Sequence, residues 1–199
     1  MLVGQKLNFL LNEIGKRDIE GEIWPRPCKD VLLFFQKLQQ LKQEGTLIDF
    51  AVISSGHESF IKRSFEVWGI PQPDILVTED DIRPRKYPKE QEERFKPGTF
   101  PLALTHYKWL KKQGANYDLP FATRSKERMV YVGDNPTKDL GMATRGNIDG
   151  YIFPFTPWKN ITETLVSNSY LLDGRPIREI LAPLRNGVEK VHSGAKERL

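Results

Sequence analysis

An α/β fold, with a mostly parallel, doubly wound sheet flanked by helices, is what the order of hydrophobic segments predicts. Four short runs, IDFAVI at 48–53, DILV at 74–77, RMVYV at 128–132 and DGYIF at 149–153, have the length and composition of strands. Between most of them lie stretches whose apolar residues recur every three or four positions, the period of a helix packed along one side. Strands joined through helices require right-handed crossovers, and a nearly continuous apolar strand requires cover on both faces. A chain of 199 residues, 39% hydrophobic and 28% charged, suffices for one core of that kind.

Taken from the N-terminus, residues 5–14 place Leu7, Leu10, Leu11 and Ile14 on one helical face, with Gly15 as the stop. Trp24-Pro25-Arg26-Pro27 breaks the chain, because proline has no amide to give a helix. From Lys29 to Lys42 the pattern resumes through Val31, Leu32, Phe35, Leu38 and Leu41 and ends at Gly45. A helix over about 57–68 follows the first strand. After the second strand comes EDDIRPRKYPKEQEERF at 79–95, too charged and proline-broken for core, with Tyr87 and Phe95 as candidate lining of an entrance. A helix over 99–113 leads to the third strand, and a short one near 137–144 to the fourth. Beyond Thr156 regularity fades, although Ile177, Ile180, Leu181 and Leu184 predict one packing helix before a polar tail. Three regions result: an N-terminal helix and linker at 1–27, a core at 28–155, and an extension at 156–199.

Composition removes several classes of function. Thirty Lys and Arg stand against 26 Asp and Glu, a net charge of +4, and the two signs interleave. The densest basic run, Arg83-Pro84-Arg85-Lys86-Tyr87-Pro88-Lys89, passes straight into Glu90, Glu92 and Glu93, which fits a solvated loop better than a phosphate-tracking stripe. No nucleic-acid partner is predicted. No window reaches the roughly 18–20 apolar residues of a membrane helix, and no cleavage site follows the N-terminal apolar run, so a cytoplasmic protein without a membrane partner is expected. Cys28 is the single cysteine, which rules out an internal disulfide and a cysteine metal cluster. Asn160-Ile161-Thr162 matches a glycosylation acceptor by coincidence, given no secretion signal.

Candidate chemistry lies where strands end, since ligands of open α/β sheets bind beyond the carboxyl ends of the strands. The first strand runs into Ser54-Ser55-Gly56, with Glu58 three residues after Ser55. That spacing is a capping box, and it is also a seat for phosphate, because free amides at a helix start attract an anion. His57 is read as a first-turn surface residue. Lys96 precedes Pro97-Gly98 at a helix entrance; it is either solvated surface or an ammonium directed at an anion. The third strand ends at Gly133-Asp134-Asn135, and Asp139 follows five residues after Asp134. Either these acids shape a turn and complement a helix dipole, or they offer oxygen ligands to a magnesium ion that keeps water and phosphate in its other positions.

A hydroxyl after one strand, then a lysine before a helix, then Gly-Asp-Asn with a further Asp after a third strand, resembles in that order motifs two, three and four of the haloacid dehalogenase-like hydrolase superfamily. The similarity runs from about Pro25 to Phe153. It includes the distance from Ser54 to Trp68-Gly69-Ile70, where the helix after motif two is completed. Receiver domains use similar residues around an aspartyl phosphate, but their paired acids come first in the chain. The resemblance implies a magnesium-dependent phosphatase of a small phosphorylated compound. Ser54, with Ser55 beside it, would bind the transferring phosphoryl group, Lys96 would balance its charge, and Asp134 and Asp139 would hold Mg2+. The superfamily's first motif, a strand ending in Asp-x-Asp that carries the nucleophile, is absent. Asp18 lies in a polar turn, Asp30 begins a helix, and Asp80-Asp81 comes out of order. The expectations are therefore a sheet missing its central first strand, with that strand upstream of Met1 in a longer parent, residues 1–27 as a remnant of a cap insert, and no turnover by these residues alone. The alternative is a non-catalytic scaffold that keeps a phosphate or magnesium pocket.

Overall fold

The computed structural model of the chain describes residues 2–46, 48–82, 94–114, 128–153, 156–168 and 175–184. Most of the charged excursion, Tyr87 with it, and the polar tail after Leu184 lie outside these residues. Among the described residues no helix is long and apolar enough to cross a membrane.

Helix α1 (Leu2–Glu13) ends where Gly15 adopts a φ of +89°, and α2 (Lys29–Gln43) ends at Gly45 with φ +92°. Both are conformations that a side chain disfavours, so glycine sets each stop. Between them, Arg17 and Ile23 form an antiparallel bridge around a turn in which the Asp18 carboxylate accepts the Glu20 and Glu22 amides. Strand β1 (Ala51–Ile53) is shorter than the predicted 48–53 because of a contact with a distant residue. The Phe50 amide donates to the Asp74 carboxylate at 3.1 Å, and a side chain there takes the place of a ladder bond. Helix α3 (Glu58–Val67), strand β2 (Ile75–Val77), the single turn α4 (Glu79–Ile82) and helix α5 (Phe100–Lys112) follow. Strand β3 (Val130–Gly133) leads into a π-helical turn (Pro136–Leu140), helix α6 (Gly141–Arg145) and strand β4 (Asp149–Ile152). The predicted helix near 137–144 is thus a π turn continued by a short α-helix. Helix α7 (Trp158–Ser167) was not predicted, whereas α8 (Ile177–Leu181) was.

The fold is mixed α/β with parallel strand pairs. β1 pairs with β2, Val52 opposite Leu76, and β3 pairs with β4, Val132 opposite Tyr151. The two pairs are separate two-stranded sheets. Helices pack against both faces of β3 and β4, and α5 packs against Ile53, Ile75 and Val77 of the other pair. Phe50, Val130 and Val132 pack with Leu38 and Leu41 of α2, Ile161 and Leu165 of α7, and Ile180 and Leu181 of α8. Ile53 and Tyr131, one residue out of phase, pack on the other side with Leu102 of α5 and Met142 and Ala143 of α6. Alternate residues of β3 therefore face two helix layers, as the two-residue period of strands requires, and Phe50, just before β1, and Ile53 pack one against each of the same two layers.

Backbone direction follows from the same alternation. Ser54 N donates to Val77 O at 3.0 Å, and Phe153 N donates to Gly133 O at 2.9 Å. In a parallel ladder the amide and carbonyl of one residue point to one neighbour and those of the next residue point away. Ala51 and Ile53 accordingly turn their backbone groups away from β2, and Val130 and Val132 turn theirs away from β4. Among the described residues no strand pairs with these inner edges.

At the opposite end of β1, Asp49 and Asp74 gather Lys42 of α2 with Trp109 and Lys112 of α5 and Gln113 just after it. Burial opposes the ionisation of Asp74, but bonds from Lys112, Lys42 and the Phe50 amide outweigh it and hold the carboxyl at about 2, below its ordinary 3.8. A depressed folded value stabilises above the unfolded one and is lost as pH falls through it. Unfolding in urea should therefore show about 1–2 kcal/mol of this stability disappearing between pH 4 and pH 2, after allowance for solvent screening at a partly exposed cluster. Asp74→Asn should remove most of that acid dependence, and an unchanged slope would refute the assignment.

Candidate functional site

Lys96 and Asp139, 43 residues apart, meet at the carboxyl ends of β1 and β3. Phe95 packs with Ile75, Val77 and Ile82, while Pro97 lies against Gly141, so the backbone on both sides of Lys96 is anchored. The Lys96 ammonium donates to Ile53 O at 3.0 Å, to the Tyr131 hydroxyl at 2.6 Å and to Asp139 Oδ1 at 2.8 Å. Those three acceptors use all three of its protons.

Asp139 is 3% exposed, and a buried carboxylate needs donors on both oxygens. Oδ1 accepts from Lys96 and from the Tyr131 hydroxyl at 3.0 Å. Oδ2 accepts the amides of Asp134 at 3.1 Å and Asn135 at 3.0 Å. The π turn brings the carboxylate back onto the end of β3, and Gly133 makes the approach possible. A Cβ on Gly133 would lie 2.5 Å from Asp139 Cβ and 2.6 Å from its Cγ. Burial would raise the Asp139 pKa, but the Lys96 bond and charge, with the Asn135 amide and the Tyr131 hydroxyl, bring it below the usual value. Burial, then the Asp139 charge, push the Tyr131 phenol upward, so its proton stays in place.

The other predicted residues lie around this pair in different ways. Ser54 directly follows the Ile53 carbonyl that Lys96 holds, and its Oγ accepts the Gly56 amide at 3.0 Å, leaving its own proton to give. Asp134 is exposed, and its amide is tied to Asp139. Asn135 caps the π turn by accepting the Lys138 amide at 2.8 Å. Ser55 is exposed, and the predicted capping box with Glu58 does not form. Asp80, arriving from the end of β2, accepts the Glu58 amide at 2.8 Å in its place and holds His57 Nδ1 at 2.9 Å. A charged carboxylate at a helix start outcompetes a neutral hydroxyl, because it also meets the positive end of the helix dipole. Sequence reasoning missed Tyr131, whose one signal is a hydroxyl-bearing residue among aliphatic neighbours in a strand, and it missed the bond between His57 and Asp80.

The carboxylates fit magnesium unequally. Asp134 presents an exposed anionic oxygen pair, the hard ligand that this ion prefers. Asp139 already receives four donors, so direct ligation would cost it Lys96 or Tyr131. No family model matches the chain, and no curated protein or solved structure matches it either.

Proposed function

We propose that the chain is the core of a haloacid dehalogenase-like phosphohydrolase, a magnesium-dependent phosphatase of a small phosphorylated compound. The observation that carries this is the meeting of Lys96 and Asp139 beyond the ends of β1 and β3, with Ser54 adjoining. Ser54 donates to a phosphoryl oxygen, the exposed Ser55 extends that seat, and Lys96 neutralises charge as it builds on the phosphoryl group. Asp134 holds Mg2+, with Asp139 behind it fixing the loop; the ion, when bound, supplies further positive charge. The inner edges of β1 and β3, with which no described strand pairs, favour a single doubly wound sheet with one more strand between them. In such an arrangement the attacking aspartate stands on that strand, and aspartyl-phosphate formation divides hydrolysis into two easier steps. No residue described here takes that role.

A second reading, a non-catalytic scaffold that binds phosphate or magnesium, is favoured by how fully Lys96 and Asp139 satisfy one another. Two measurements separate the readings. Titration with orthophosphate and Mg2+ should show binding that Lys96→Gln weakens by about tenfold or more, the worth of one hydrogen bond to a charged group. Turnover of p-nitrophenyl phosphate should be absent with these 199 residues and present once an Asp-x-Asp strand is joined ahead of them. Binding without turnover in the extended protein would leave the scaffold reading, and absence of phosphate binding would remove both.

A further inference from the structure

We propose that Tyr131 is a positioning residue that latches the Lys96 ammonium closed on Asp139, so that Lys96 reaches an anion only when this latch opens; the inference rests on Lys96 being the phosphate-binding lysine. The Tyr131 hydroxyl accepts from Lys96 at 2.6 Å and donates to Asp139 at 3.0 Å, while Lys96 and Asp139 are 2.8 Å apart. These three bonds form a closed triangle. With Ile53 O as its third acceptor, Lys96 has no proton left for a ligand.

Packing alone does not require the hydroxyl. The Tyr131 ring sits among Leu102, Met142, Ala143 and Ile148, and phenylalanine would fill the same space. Burying the oxygen is unfavourable unless it is bonded, so the triangle is what offsets that cost. The strand fixes the ring, which leaves the ammonium to move. Tyr131→Phe keeps the ring and removes the latch, which frees one Lys96 proton. An unpaired donor left in a partly buried place gains the most from an anion.

The test is reductive methylation of the lysines, followed residue by residue by mass spectrometry, in the wild-type chain and in Tyr131→Phe. Lys62, with its side chain 53% exposed against 19% for Lys96, serves as the reference. In the wild type Lys96 should react well behind Lys62 beyond what exposure explains, and in Tyr131→Phe it should react roughly fivefold faster, with orthophosphate binding tightened by a similar factor. Lys96 reacting as fast as Lys62 in the wild type would overturn the latch even if the variant does not fold. An unchanged Lys96 rate in a folded variant would overturn it as well. Faster Lys96 methylation with no orthophosphate binding by either protein would leave the latch standing and refute the phosphate reading alone.

Discussion

Replacing Asp139 by alanine is expected to destabilise the chain by about 3–5 kcal/mol, the cost of leaving one partner of a buried ion pair uncompensated. The substitution strands the Lys96 ammonium on two neutral oxygens and removes the acceptor of the Asp134 and Asn135 amides. Asp139→Asn should lose less, because an amide oxygen still accepts from those two backbone groups. Urea unfolding of the two variants beside the wild type measures both. A loss below about 1 kcal/mol for the alanine variant, the level of an exposed pair, would mean that the contact is incidental. The wild-type contribution has a defined pH window. The Asp139 carboxyl is held below its ordinary range, so its stabilisation is complete above the unfolded value near 4 and declines as pH falls through the folded one.

Gly133→Ala is the second change with a large expected effect, and it acts through space instead of charge. The new Cβ falls within 2.6 Å of Asp139 Cβ, Cγ and Oδ2, all near the base of a side chain that four donors hold in place. Either β3 or the π turn must move, at about 3 kcal/mol, the upper part of the usual overpacking range. Lys96 should then become accessible to methylation, because Asp139 can no longer stay beneath it. Gly56→Ala is the control. Its Cβ would make ordinary 3.4 Å contacts with Ile61 and Ser54, and a change under about 1 kcal/mol is expected. Equal effects at the two glycines would show that the close approach of Asp139 to Gly133 does not matter to the fold.

What the sequence made legible follows from which interactions are local. The strand at 128–132, the helix at 29–42 and the glycine stops at 15 and 45 depend on periodicity and on φ, which neighbours in the chain decide. Helix α7 was missed because Thr162, Thr164 and Asn160 are weak helix formers, and packing of Ile161 and Leu165 on α2 overrides that preference. The end of β1 was misplaced by a tertiary bond, the Asp74 carboxylate on Phe50, which no local pattern announces. At the site, Lys96 was legible as a chemistry-bearing type at a helix entrance and Asp139 as one after a strand end, and the structure joins them. Ser55 was assigned a cap that Asp80 takes from 25 residues further along the chain. Tyr131 counted as one apolar position of a strand, since the worth of its hydroxyl depends on two distant partners.

The central claim is that the loops after β1 and β3, with Lys96 between them, form one anion site. Backbone amide shifts recorded while orthophosphate and Mg2+ are added test it most directly. The expected result is saturable shifts confined to 54–57, 95–98 and 133–139, which in Lys96→Gln require about tenfold more ligand or beyond. Shifts that cluster instead around Lys42 and Lys112 at the far end of β1, or none that saturate, would contradict it.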